Sequence, residues 1–246
     1  MREPMKRPQM ILFDYGQTLI AQEKFNAKKG NAALMQYVAK NRYNKTVEEI
    51  QAAAAAVTAD IGRASPSERH LAPVEITAEA FDAYLYESLG IELSISYDEA
   101  QRIFWDAAAP GKPTEGMEDF LRFLKEQGIR TGVVSNISFS REALTERLNR
   151  LLPDNKFEFI IASSYYVFRK PSRRIFDLAL AKADLKPEEV WFVGDEYECD
   201  IVGAGTAGMF PVWYTGYLDF EQDMSREAFR ISDWSELKEY ILRLGG

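Results

Sequence analysis

Met10-Ile11-Leu12-Phe13-Asp14-Tyr15-Gly16-Gln17-Thr18-Leu19 is the stretch from which this chain is best read. Four apolar residues without a polar interruption have the signature of a strand buried on both faces, and the run ends on a carboxylate that breaks at once into a glycine-containing turn. In α/β sheets the carboxyl ends of the strands open onto a crevice, so a side chain there is rigidly aimed and within reach of a ligand. Asp14 is therefore the first candidate for chemistry. Taken alone, the segment is better read as an aspartate that merely starts a turn. Three later segments reverse that reading.

A chain of 246 residues suits one large domain, or a core domain carrying an insertion. Hydrophobic residues at 46% and charged residues at 28% are ordinary for a globular chain, and no apolar run approaches the length a membrane helix requires. Residues 1–8 are basic with no apolar core behind them, which reads as a disordered lead-in and not as a secretory signal. A lone Cys199 excludes an internal disulfide, and a lone His70 leaves no His/Cys cluster for zinc, so a cytoplasmic location is the expectation. A formal charge of −8 with no long Lys/Arg block argues against a nucleic-acid partner. An anionic substrate would need local positive charge to overcome that field.

Helical periodicity follows the first strand, predicting helices over 22–40, 47–61, 76–89 and 97–109. Thr46-Val47-Glu48-Glu49 is a capping-box pattern ahead of an alanine-rich run, and Gly30 marks a kink or a close helix contact. A Pro-bounded loop, 65–73, separates the second helix from the third. From Gly116 the grammar changes: Met117, Phe120, Leu121 and Leu124 form a helix stripe closed by Gly128, and strands are predicted over 129–134, 157–161, 190–193 and 210–214. Helices over 171–183, 200–207 and 233–244 alternate with them, the last with a capping-box start. This alternation implies a Rossmann-like, doubly wound parallel sheet from 9–20 and 111–246, with a helical bundle, 21–110, inserted as a cap.

The polar residues fall at the strand ends. One strand ends in Ser135-Asn136, another in Gly194-Asp195 with Asp200 close behind, and Arg169-Lys170-Pro171 sits just ahead of a helix. Asp14, Ser135, Lys170 and Asp195 are thus expected at one edge of the sheet. In-line phosphoryl transfer needs such a set: a carboxylate to attack or bind metal, a second for an oxygen-rich Mg²⁺ site, and a lysine and hydroxyl for the anionic oxygens. Each alone has a plainer reading, as a turn hydroxyl, a solvated cation or a helix-start acid.

Taken in order, Asp14-Tyr15-Gly16-Gln17-Thr18, Ser135-Asn136, Arg169-Lys170-Pro171 and Gly194-Asp195 through Asp200 resemble the four signatures of the haloacid dehalogenase superfamily, most of whose members are phosphatases. The likeness also accounts for the helical block, since many members carry a cap between the first two signatures that closes over the site. It implies that Asp14 is the nucleophile, forming an aspartyl-phosphate, and that Ser135 and Lys170 grip the transferring group. Asn136 would contact phosphate through side chain or backbone. Mg²⁺ would be held by Asp14, Asp195 and the carbonyl of Gly16, supported by Asp200 and Thr18. The substrate would be a small phosphorylated molecule.

The departure from the family is equally informative. Its phosphatases carry a second aspartate two positions after the nucleophile, where this chain has Gly16. That acid protonates the leaving oxygen and later activates water, help worth about 10²–10⁴-fold. Gln17 stands where the family usually has glycine. The alternatives are a weakened scaffold that binds Mg²⁺ and a phosphorylated ligand without turnover, and a phosphonoacetaldehyde-hydrolase-like enzyme using Lys24, Lys28 or Lys29. A metal-independent carbon–halogen hydrolase fits less well, because Gly194-Asp195 would have no metal to hold. Lesser candidates are Arg63, Arg69 and His70 in a cap loop, Arg169 for phosphate or a surface acid, and Tyr15 and Tyr197 beside the site or in the core. Tyr165-Tyr166-Val167-Phe168 is expected to pack a turn against the sheet, and Cys199, lacking a thiolate-favouring neighbour, to be redox-inert.

Overall fold

The computed structural model describes residues 6–62, 73–218 and 222–244. Arg63, Arg69, His70 and most of the Pro-bounded loop lie outside them, as do the first five residues.

The frame is a six-stranded, all-parallel sheet built from β1 (Met10–Phe13), β6 (Arg130–Ser135), β7 (Phe157–Ala162), β8 (Val190–Gly194), β9 (Phe210–Tyr214) and β10 (Phe229–Ile231). Its order is β10-β9-β8-β1-β6-β7, with β1 in register with both neighbours, Leu12 facing Gly132 on one side and Phe192 on the other. The chain builds outward from β1 through β6 to β7, then returns to add β8, β9 and β10 on the opposite side. This reversal puts the crevice of a doubly wound sheet at the carboxyl end of β1.

Alternate residues of each strand enter opposite layers, because successive side chains on a strand point to opposite faces. Ile11, Phe13, Val133, Trp191 and Val193 pack against α5 (Met117–Glu126), α6 (Arg141–Leu151) and α10 (Trp234–Leu244). Met10, Leu12, Val134, Val190 and Phe192 pack against Ile175, Phe176 and Ala179 of α8 (Arg173–Ala183) and Ala204 of α9 (Gly203–Thr206). All four residues of β1 are fully buried, as its unbroken apolar run requires.

Between β1 and α5 the chain leaves and re-enters through β2 (Ile20–Gln22) and β5 (Gly111–Pro113), which pair antiparallel with Gln22 opposite Gly111. Within lie α1 (Ala27–Leu34), β3 (Val38–Asn41), α2 (Val47–Asp60), α3 (Ala78–Ser88), β4 (Ile91–Leu93) and α4 (Tyr97–Ala108), around a small core of Leu34, Ile50, Leu85, Tyr86, Ile91 and Ala100. The capping box at Thr46 is formed with Glu49. Gly30 is a close contact, since a Cβ there would stand 2.6 Å from the Phe104 ring.

The helix expected over 22–40 is shorter at both ends. Gln22 belongs to the β2–β5 ribbon, Asn26 accepts from Lys29 N to start α1, and Val38 onward pairs as β3 with β4. The helix expected over 200–207 is a π-helical turn, Tyr197–Val202, continued by α9. That over 171–183 begins at Arg173. Tyr166, which ends the short helix α7 (Ser163–Tyr166), packs against the core as expected, but Tyr165 and Val167 are exposed, and Tyr165 lies edge-on to Tyr166. Among the described residues, no helix is long and apolar enough to cross a membrane.

Candidate active site

Asp14 follows β1 directly, and its backbone N–H still donates to Val193 O at 2.9 Å, so the ladder with β8 holds the residue at the strand end. Ser135 closes β6, and Asp195 follows β8. Asp200 lies in the π-helical turn, which curls its carboxyl back over Gly194. A Cβ at Gly194 would meet that carboxyl at 2.3 Å, so only glycine allows the approach.

Lys170 joins these groups. Its side chain is 2% exposed, and its ammonium donates to Asp14 Oδ1 at 2.5 Å and Asp200 Oδ1 at 2.6 Å, over the face of Phe192. Its backbone is clamped by Asn136, whose amide donates to Lys170 O at 2.8 Å and accepts from Lys170 N at 2.7 Å, beside a cis bond to Pro171. The Asn136 side chain is thus engaged in holding the lysine, although the residue borders the cleft. Thr18, fully buried, donates to Asp195 Oδ1 at 3.1 Å. Asp14, Gly16, Ser135, Lys170 and Asp200 line one cavity of about 120 Å³. Every core site residue expected from the sequence therefore meets at one end of the sheet.

Burial favours the neutral form of Lys170, but Asp14 and Asp200 outweigh it and hold the proton well above the ordinary lysine range. Asp195 is pushed well above the usual carboxylate range by burial and then by the charges of Asp14 and Asp200. Burial also raises Asp200, against the pull of Lys170. One ammonium thus faces three enclosed carboxylates. Asp14, Asp195 and Asp200 each offer an oxygen, all within 4.8 Å of one another. An all-oxygen set with surplus negative charge suits a hard divalent cation.

Gln17 adopts a left-handed conformation, φ 53°, and its side chain exchanges two hydrogen bonds with the backbone of Gln22 at 2.9 and 3.2 Å. It is a staple between the β1 turn and β2. The Gln22 side chain in turn covers Gly16 and lines the cavity, as does Glu196. Tyr15 is both core and cavity wall; its hydroxyl accepts from the buried Arg147 at 2.7 Å, and burial pushes the phenol up to about 12. Tyr197 packs edge-on against Trp213. Cys199 is buried, and burial raises its thiol, in keeping with an inert residue.

Lys24, Lys28 and Lys29 are exposed; Lys28 pairs with Glu48 at 2.8 Å, and Lys29 lies 3.8 Å from Glu23. None of the three lines the cavity. Arg169 pairs with the enclosed carboxylate of Glu75, at 2.8 and 2.9 Å, and among the described residues with no surface acid. Neither Glu75 nor Arg147 carried a motif that would single it out in the sequence.

A family profile described as haloacid dehalogenase-like hydrolase matches residues 8–208. The chain is 32% identical over 134 residues to a glyceraldehyde 3-phosphate phosphatase of Pyrococcus furiosus, covering 53% of this chain and 55% of the relative. It is 33% identical over 112 residues to the human haloacid dehalogenase-like hydrolase domain-containing protein 3, covering 45% and 43%. It thus spans about half the length of these curated relatives. In fold it matches a HAD phosphatase from Thermococcus onnurineus with a TM-score of 0.64 at 19% identity, over 94% of this chain and 97% of the other. With the ordered motifs converging at the switch point of the sheet and the profile running across most of the sequence, the chain belongs to the haloacid dehalogenase-like hydrolases.

Proposed function

We propose that this protein is a Mg²⁺-dependent phosphohydrolase acting on a small phosphorylated metabolite through an aspartyl-phosphate on Asp14. The observation that carries the reading is Lys170, buried and bonded at once to Asp14 and Asp200 beside Ser135 in a cavity of about 120 Å³. Asp14 Oδ would attack phosphorus in line as the bond to the leaving oxygen breaks. Lys170 and Ser135 would hold the non-bridging oxygens, with Asn136 fixing the lysine through its backbone. Water would then attack the phosphorus of the aspartyl-phosphate, releasing inorganic phosphate and restoring the carboxylate. Mg²⁺, held by Asp14, Asp195 and the Gly16 carbonyl with Asp200 and Thr18 in support, would supply neutralising charge to the phosphoryl oxygens. The helices between β2 and β5 would serve as the cap that selects the substrate.

Gly16 brings no acid to the leaving oxygen, so good leaving groups, acyl or aryl phosphates, are favoured over alkyl phosphates. The phosphatase relatives support a phosphorylated substrate class. The test is phosphate release from acetyl phosphate and para-nitrophenyl phosphate with Mg²⁺, beside Asp14→Asn and Gly16→Asp. Wild-type turnover lost in Asp14→Asn is the expected result. A Cβ at Gly16 would meet only the flexible end of Gln22, at 3.1 Å, so the Gly16→Asp side chain fits with a small shift. That variant should raise alkyl-phosphate hydrolysis by about 10²–10⁴-fold. Turnover appearing only in Gly16→Asp would instead make the natural protein a binder of phosphorylated ligands.

A further inference from the structure

Residues 73–78, which lead into α3, lie along two loops of the core. Glu75 N donates to Val167 O at 2.6 Å, Arg169 N to Pro73 O at 3.0 Å, and Ala78 N to Ser138 O at 2.8 Å. The Glu75 side chain is wholly enclosed, and both its oxygens accept from Arg169. Oε2 also accepts from the Ser163 hydroxyl at 2.6 Å. Ser163 Oγ accepts in turn from the backbone N–H of Ile137, at 2.8 Å.

These contacts close a ring. From Glu75 it passes to Arg169 and by one peptide bond to Lys170, whose backbone is clamped by Asn136. From Asn136 it passes by one peptide bond to Ile137, then through Ser163 back to Glu75. Ser135 is attached next to Asn136. A carboxylate tolerates such burial only when paired and fully hydrogen-bonded, which makes its geometry stringent. Phosphoryl transfer is in turn sensitive to the placement of the groups that hold the oxygens, a 1 Å error costing about 10²-fold.

We propose that Glu75 is a positioning residue that sets Ser135 and Lys170 from behind, coupling the segment before α3 to the two loops that hold the transferring group. The inference rests on the phosphohydrolase reading for its kinetic consequence, but the ring is measurable without turnover. Glu75→Gln keeps the shape and removes the charge that holds Arg169. Acetyl phosphate hydrolysis with Mg²⁺ should then show kcat lowered about ten- to a hundredfold with KM within about threefold. Amide hydrogen exchange at Ile137 and Lys170 should accelerate about tenfold or more, with Val133 in β6 unchanged. The double variant Glu75→Gln/Arg169→Gln should be no worse than the more damaged single variant, since both cut the same ring. A lower Tm with kcat within about twofold and unchanged exchange at Ile137 and Lys170 would overturn the proposal and leave Glu75 a structural ion-pair partner. Should Glu75→Gln not fold, Arg169→Gln, which leaves Glu75 on Ser163, is read by the same measurements. If wild type lacks turnover, the phosphohydrolase reading fails by itself, and the exchange data alone uphold or sink the coupling.

Discussion

Replacing Lys170 by methionine removes the one ammonium among three carboxylates while nearly keeping the volume of the side chain. Contacts of 2.5 and 2.6 Å to Asp14 and Asp200 each carry a gross attraction of about 6 kcal/mol at an effective dielectric of about 20, much of it offset by desolvation of the ions. Removing one member of a buried ionic cluster typically costs about 3–5 kcal/mol, because the partners are left charged and enclosed. For a domain of this size that is roughly 6–20 °C in Tm. The sign of the pH effect follows from Asp195 and Asp200, already raised with Lys170 present. Without it they rise further above their unfolded values, so the penalty is largest at high pH and shrinks as pH falls toward about 4, where the unfolded chain also binds the protons. Thermal unfolding in EDTA at pH 7.5 and pH 5 measures both quantities. A loss under about 2 °C at pH 7.5, or the same gap between wild type and variant at both pH values, would refute the electrostatic account of the cluster.

Two further outcomes follow from the same geometry. Mg²⁺ at about a hundred times its dissociation constant should raise stability by about 2.7 kcal/mol in wild type, and calorimetry of Asp195→Asn should show most of that shift gone. Burial raises the Cys199 thiol, so its alkylation in the native protein should stay slow from pH 7 to pH 9 and become fast on unfolding. By linkage, the contribution of the protonated thiol to stability is present below about pH 8.5 and declines above it, where only the unfolded chain ionises. Fast native labelling at pH 8 would contradict the burial.

The sheet and the main site residues were legible because their signals are local. β1 and residues 190–193 of β8 are unbroken apolar runs with an acid one or two positions beyond, and the capping box of α2 is written in four consecutive residues. What was not legible depends on distant partners. The three-residue strands β2 and β5 exist because they pair with each other, and nothing in Ile20-Ala21-Gln22 announces a strand. The buried face of α6, Ala143, Leu144, Arg147 and Leu148, includes an arginine whose partners Tyr15 and Asp106 lie far off in sequence, so its apolar stripe is interrupted where the sequence alone is read. Glu75 meets Arg169 across 94 positions, so neither residue carries a sign of the other. Asn136 illustrates the same limit: its place after Ser135 was readable, but the target of its amide was not.

The β2–β5 ribbon has one consequence for how the chain is assembled. Because Gln22 stands opposite Gly111, the long insertion begins and ends at a single point of the core. The entropy of closing so long a loop rises only with the logarithm of its length, so the core strands on either side bear little more cost than with a far shorter connection. The insertion is tied to the core at these shared ends and again through residues 73–78 and α4. Length changes in those of its segments that do not touch the core should leave the three paired positions, and with them β1 and the carboxylate at its end, in the same place.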